Sequence, residues 1–182
     1  WYNHEEVGYN YRMSNVIAGV VRGQFPYLEN HTDRKKEIYL RYKEGLKDLP
    51  VSMNPYDETK SEPNFWLSCI IIDKDAMEKQ TRSDREARFE SEKGKSCPTE
   101  ILETMAKYNA EGRPIWKPMH MQPIFKANPF VTKDGLFEGE EYTEGKTSVG
   151  ADIFERGLCL PSDIKMTNDE QDKVIEIIKS CF

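Results

Sequence analysis

No C-x-x-C pair occurs in this sequence. Its four cysteines, Cys69, Cys97, Cys159 and Cys181, are scattered, which argues against a zinc site and a disulfide framework and fits a reducing cytoplasm. A basic excess is also missing. The formal net charge is −6, with charged residues at 32%, which argues against nucleic acid as the main partner. The longest apolar run, Phe65 to Ile72, is too short to span a bilayer. No signal-peptide pattern heads the chain. There is no G-x-S-x-G, no P-loop and no nucleotide-fold glycine fingerprint. Histidine is scarce, with three in the chain, and His120 has no patterned partner for a metal. There are no internal repeats.

What is present fits one domain of 182 residues, ample for a core. The chain begins at Trp1 rather than Met, which suggests a processed or excised piece. Ser14 or Asn15 opens a helix that runs to Gln24, with Val16, Ile17, Val20 and Val21 at helical spacing. Gly19 and Gly23 on that helix cost about 1 kcal/mol each relative to Ala; two glycines four apart imply something packed closely against that face. Pro26 suits the first turn of a second helix, over about 27–48, with Leu28, Ile38, Tyr39, Tyr42, Leu46 and Leu49 as one buried stripe. Its many charges read as a solvated face.

Val51–Met53 is a short strand candidate and 54–64 a loop. Phe65–Ile72, β-branched and aromatic, predicts a central strand covered on both faces. Residues 73–96 are dense in charge and suggest a short helix within a partly mobile segment. Pro98 begins a helix with Ile101, Leu102, Met105 and Tyr108 on its inner face, and Gly112 suits a left-handed cap. Three prolines between Arg113 and Phe125 force an extended, rigid path, a better pocket wall than core element. Residues 133–150 read as a long surface loop, 149–155 as a short helix and Gly157–Leu160 as a strand. Thr167–Glu170 forms a capping-box pattern before a helix burying Val174, Ile175, Ile177, Ile178 and Cys181. The pattern alone gives α/β or α+β.

Several residues can carry chemistry. Asn10 and Arg12 stand just before a helix N-terminus. An amide and a guanidinium there make an anion site; alternatively Arg12 pairs with Glu5 or Glu6 and Asn10 caps a turn. Lys117, between Trp116 and Pro118, contacts substrate phosphate or is a surface lysine. His120 can hydrogen-bond a ligand's oxygens, or the backbone of its own loop, while Trp116 offers an apolar face. Arg113 binds phosphate or pairs with Glu111. The stretch 1–6 is a pocket rim or a frayed end. His31, Asp152 and Glu155 read as surface groups.

Three segments also carry a family likeness: Gly8-Tyr9-Asn10-Tyr11-Arg12-Met13-Ser14-Asn15, then Arg113 to Pro123 (R-P-I-W-K-P-M-H-M-Q-P), then Phe154 to Ser162 (F-E-R-G-L-C-L-P-S). In this order they resemble the DegT/DnrJ/StrS sugar aminotransferases, with the bacillosamine-precursor enzymes the nearest look. The resemblance covers only the later part of such an enzyme.

It implies that residues 1–182 form the small C-terminal domain of a fold-type I pyridoxal-phosphate enzyme, an α/β arrangement with a short sheet covered by helices. Residues 1–25 would be an interface and active-site loop with a linking helix, and the large lysine-bearing domain would be absent. The implied activity is amination of a nucleotide-linked keto-sugar, UDP-linked with glutamate as donor, for surface glycan or glycoprotein sugars, by a cytoplasmic homodimer using pyridoxal 5'-phosphate. Asn10 would contact the cofactor phosphate and Arg12 the cofactor and substrate phosphates, both in the neighbouring subunit's site. Trp116, Lys117, Met119 and His120 would line the sugar-nucleotide pocket. No segment matches the family's lysine motif, so the chain alone is expected to be inactive, with no catalytic residue and no metal. The alternatives are a sugar dehydratase of the same fold and cofactor, or a non-catalytic binding or dimerisation module.

Overall fold

The computed structural model describes residues 3–82, 86–125, 127–132, 135–137 and 148–182. Its centre is a four-stranded antiparallel sheet in the order β1 (Val51–Met53), β2 (Ser68–Ile72), β8 (Gly157–Leu160), β5 (Arg113–Pro114). Three helices cover one face: α2 (Leu28–Gly45), α3 (Pro98–Lys107) and α5 (Asn168–Lys179). Two hairpins stand outside the sheet, β3 (Gln80–Arg82) with β4 (Ala87–Phe89), and β6 (Phe130–Thr132) with β7 (Gly135–Phe137). A short helix, α4 (Val149–Arg156), leads into β8. The first helix, α1 (Asn15–Gln24), buries none of its residues.

The core follows from the apolar spacing. Ile38, Tyr42 and Leu46 of α2, Ile101 and Met105 of α3, and Val174, Ile175 and Ile178 of α5 close on Ile70, Ile72, Leu158 and Leu160 of the sheet. Each such side chain contributes about 1.5–3 kcal/mol by leaving water. Buried polar groups are tied in: the Tyr42 hydroxyl donates to the Pro161 carbonyl at 2.8 Å, and Gln171 Nε2 donates to the Ile38 carbonyl at 2.7 Å. Burial pushes the Tyr42 phenol up from its ordinary range. The expected capping box is formed, with Thr167 and Glu170 bonding each other's backbone N–H.

Several expectations need correction. The run Phe65–Ile72 is strand only from Ser68. Phe65 takes a positive φ of 50° and tucks its ring against Tyr39 and Tyr56, at 5.2 Å from each. β2 is central, but Ser68, Ile70 and Ile72 are buried while Cys69 and Ile71 on the other face are half-buried. Antiparallel strands with helices on one side alternate in this way. In place of the short α-helix expected within 73–96, the described residues hold a 3-10 turn, Lys74–Ala76, and the β3–β4 hairpin. Hydrogen bonds anchor that hairpin: Thr99 Oγ1 donates to Gln80 Oε1 at 2.8 Å, and Arg82 Nη2 donates to the Phe154 carbonyl at 2.8 Å. Such polar anchors leave no hydrophobic period to read.

Leu28 and Tyr108 are 50% and 68% exposed, so neither belongs to the core as expected. The left-handed residue after α3 is Asn109, at φ 58°, not Gly112. Gly112 serves close packing instead, since a Cβ there would stand 2.4 Å from Met105 Cε and 3.1 Å from the Cys159 carbonyl oxygen. The predicted 133–150 loop contains β7 and the start of α4, and 138–147 lie outside the described residues. No described helix is long and apolar enough to cross a membrane.

Candidate functional site

The Gly8–Asn15 stretch ends in a formed cap. Ser14 Oγ accepts from the Ile17 N–H at 3.3 Å, which satisfies one free donor of the first turn. Tyr11 and Arg12 both have positive φ, 25° and 46°, a conformation uncommon for side chains of this size. Asn10 and Arg12 are exposed. Neither has a side-chain hydrogen bond or ion pair among the described residues, so the pairing of Arg12 with Glu5 or Glu6 is not formed. Nothing lies within 4 Å of a Cβ added at Gly19 or Gly23. Among the described residues no close partner meets that helix face, and Val16, Ile17, Val20 and Val21 are all more than half exposed.

The Pro-rich stretch is not uniformly extended. After β5 it runs to two 3-10 turns, Met119–Met121 and Pro123–Phe125. The N-terminal arm docks on it. The His4 N–H donates to Gln122 Oε1 at 2.8 Å, the Ile124 N–H donates to the His4 carbonyl at 3.1 Å, and Lys117 Nζ donates to Asn3 Oδ1 at 2.6 Å. Gln122 is the clamp. It is 1% exposed, and its Nε2 also donates to the Lys117 carbonyl at 3.1 Å. Sequence reasoning did not single out Gln122, because a glutamine between prolines carries no period. Its full hydrogen bonding is the signal that only the structure reveals. The described part of the arm is thus docked rather than frayed; Trp1 and Tyr2 lie outside the described residues.

The loop presents its candidates in different ways. Trp116 leans on Trp66, ring centroids 5.9 Å apart, and Trp66 is a second residue that the sequence reading passed over. Met119 is 60% exposed. His120 lies over the Phe130 ring at 3.9 Å, with Nε2 at 3.3 Å from Ser148 Oγ. Ser148 also caps α4, its oxygen accepting from the Ala151 N–H at 2.9 Å. Desolvation favours the neutral ring and holds the His120 pKa below its ordinary value.

Other candidates are spoken for. Arg113 pairs with Glu111 rather than facing a pocket. Asp152 accepts from Arg156 at 2.9 Å and is 3.6 Å from Lys74; the paired Arg156 guanidinium holds its carboxyl below the usual range. Glu155 meets Arg82 at 3.3 Å, and His31 stacks on Tyr27. Among the described residues no cluster of His, Cys, Asp and Glu could hold a metal. A cleft of 1240 Å³ beside Tyr108, Met166 and Ile177 contains none of the candidate residues. The structure therefore joins the arm to the Lys117–Gln122 loop and brings Trp116 to Trp66 and His120 to Ser148. Asn10 and Arg12 stand apart from them.

Residues 1–179 match the sequence model of the DegT/DnrJ/EryC1/StrS aminotransferase family. EpsN of Bacillus subtilis (strain 168), named as a pyridoxal phosphate-dependent aminotransferase, is 35% identical over 181 residues, 100% of this chain and 39% of that protein. GDP-perosamine synthase of Escherichia coli O157:H7 is 25% identical over 182 residues, 100% of this chain and 40% of that protein. The fold is shared with Helicobacter pylori PseC, an aminotransferase involved in pseudoaminic acid biosynthesis, with a TM-score of 0.64 at 14% identity over 97% of this chain and 39% of that one. The chain thus spans about two fifths of the length of the curated relatives it matches.

Proposed function

We infer the function from one premise: the chain belongs to the DegT/DnrJ/EryC1/StrS aminotransferase family. We propose that it is the C-terminal part of a pyridoxal-phosphate enzyme that aminates a nucleotide-linked keto-sugar. The sugar is UDP-linked, glutamate is the amino donor, and the product is a bacillosamine-type precursor for surface glycans or glycoproteins. The whole protein acts as a cytoplasmic homodimer, and this chain by itself is inactive because the lysine that holds the cofactor lies outside it.

One observation carries the reading: Asn10 and Arg12 stand exposed, with no side-chain partner among the described residues, at the head of a helix that buries none of its residues. Such a loop suits use by another body. The donors fit a phosphate, since the Asn10 amide, the Arg12 guanidinium and the first-turn N–H groups of α1 are all anion-binding groups. No acid in the loop suits a pyridine nitrogen, in keeping with a half-site. When bound, pyridoxal phosphate supplies the electron sink for moving the amino group. This chain's own residues bind and orient. Asn10 and Arg12 hold phosphate oxygens, Arg12 reaching the substrate diphosphate as well. Trp116 and Met119 give an apolar wall, Lys117 adds charge opposite phosphate, and neutral His120 hydrogen-bonds the sugar and excludes water.

The test uses the full-length gene product with pyridoxal phosphate, a UDP-4-keto-6-deoxy-sugar and glutamate. Amino-sugar and 2-oxoglutarate should form together, and Arg12→Ala should raise KM for the nucleotide sugar at least tenfold, the loss of about 1.4 kcal/mol or more of charge-assisted bonding. A deoxygenated sugar without amination would assign the dehydratase instead. An active 182-residue chain would overturn the half-site reading.

A further inference from the structure

Cys69 of β2 and Cys159 of β8 lie directly opposite each other in the sheet. The Cys69 N–H donates to Asn54 Oδ1 at 2.9 Å, and its carbonyl accepts from the Asn54 N–H at 3.0 Å. Both backbone groups of Cys69 thus face Asn54 and away from β8. The pair is therefore a non-hydrogen-bonded one, in which Cα atoms stand about 4.5 Å apart and side chains come closest. That separation lies within the range of about 4.4–6.8 Å that a disulfide spans. The two sulfurs are 3.5 Å apart, with the Cys69 thiol donating. The other cysteines face no second thiol: Cys97 donates to Glu78 Oε1 and Cys181 to the Ile177 carbonyl.

The pair is also reachable from one side. Cys159 is 3% exposed, whereas Cys69 is half-buried and lines a cleft of 260 Å³ with Asn54, Tyr56 and Trp66. The thiol hydrogen bond favours ionisation at Cys159 and pushes the Cys69 thiol up. β8 also pairs with β5, Cys159 lying opposite Arg113, so the strand bearing Cys159 is the one on which the candidate loop after Pro114 hangs.

We propose that Cys69 and Cys159 form a redox-modifiable dithiol that closes to a cross-strand disulfide when a low-molecular-weight disulfide such as oxidised glutathione enters at Cys69. The step is thiol–disulfide exchange. The Cys69 sulfur attacks one sulfur of the reagent as its proton passes along the hydrogen bond to the Cys159 thiolate, which then loses it to solvent; a mixed disulfide forms and one glutathione thiolate leaves. The Cys159 thiolate then attacks the Cys69 sulfur, forms the internal S–S bond and expels the second glutathione thiolate. The protein gives up two protons and two electrons, and the reagent leaves as two thiols. Excess reduced thiol reverses both steps.

The experiment incubates the 182-residue chain with oxidised glutathione, alkylates the remaining thiols and maps tryptic peptides. The expected result is a single link between the peptides Ser61–Lys74 and Gly157–Lys165, with Cys97 and Cys181 alkylated, and full reversal by dithiothreitol. Cys159→Ser should instead stall with one glutathione on Cys69. Alkylation of both Cys69 and Cys159 after oxidation, or a link through Cys97 or Cys181, overturns the proposal. The wild-type map suffices even where the serine variant does not fold.

Discussion

His120 and Gly157 show how single residues tie this loop to the sheet. His120 sits against Phe130 with its Nε2 facing Ser148, and desolvation lowers its pKa from the ordinary 6.5. The sign follows from linkage. The unfolded chain takes up the His120 proton at higher pH than the folded one, so stability present above about pH 6.5 is lost as pH falls through the folded pKa. The loss is small, because the ring is only partly desolvated. Proton-detected titration of the His120 ring by NMR should give a midpoint below the ordinary 6.5, and His120→Gln should remove this part of the acid sensitivity. Gly157 has a harder constraint: a Cβ there would stand 2.5 Å from the Ile153 carbonyl oxygen and 2.8 Å from Ile115 Cγ1. Backbone cannot yield as a side-chain end can, so Gly157→Ala should cost about 2 kcal/mol by overpacking, read as a lowered urea midpoint.

At the scale of elements, two helices that both carry a side-chain N-cap differ in what they do for the fold. Ser14 caps α1 and Thr167 caps α5, each accepting a first-turn N–H. α5 buries Gln171, Val174, Ile175 and Ile178, whereas α1 buries nothing. Thr167→Ala should therefore lower global stability by about 1 kcal/mol, while Ser14→Ala should leave the unfolding midpoint of this chain unchanged and reduce only local helicity. Paired denaturation curves and far-ultraviolet circular dichroism check both halves. The N-caps of α1 and α5 and most of the apolar stripes of α2, α3 and α5 were legible in the sequence, as were β1, β8 and α4, because each rests on local spacing. The β3–β4 hairpin was not, because Gln80 and Arg82 are held by side-chain bonds to Thr99, Phe154 and Glu155. Phe65 was misread for a related reason: its place among Tyr39 and Tyr56 requires a backbone turn that a run of strand-forming residues does not announce.

For the molecule as a whole, stability is unevenly distributed. The sheet and its three covering helices share one core, while α1 stands on its own and a ten-residue helix without a packed face is marginal in water. Amide hydrogen exchange should find β2, β8 and α5 protected up to the global unfolding limit and α1 exchanging far faster. Comparable protection in α1 would show that a second body covers it in solution. The apolar side of α1, with Val16, Ile17, Val20 and Val21 in the open, is the sort of patch that marks an interaction surface.

By itself the sequence determined the family, through three motifs in order, and the positions of the helices and main strands, through periodicity and capping chemistry. It also named Asn10, Arg12, Trp116, Lys117, Met119 and His120 as the residues to watch. Tertiary structure alone decided that the N-terminal arm lies on the Pro-rich loop through Gln122 and that Cys69 meets Cys159 across two strands. The division has a simple cause. Helical and strand periods and end caps are set by neighbours along the chain, whereas these contacts join residues far apart in sequence. Which distant groups meet is settled by how the strands pair and how the core closes, and neither leaves a mark in local composition.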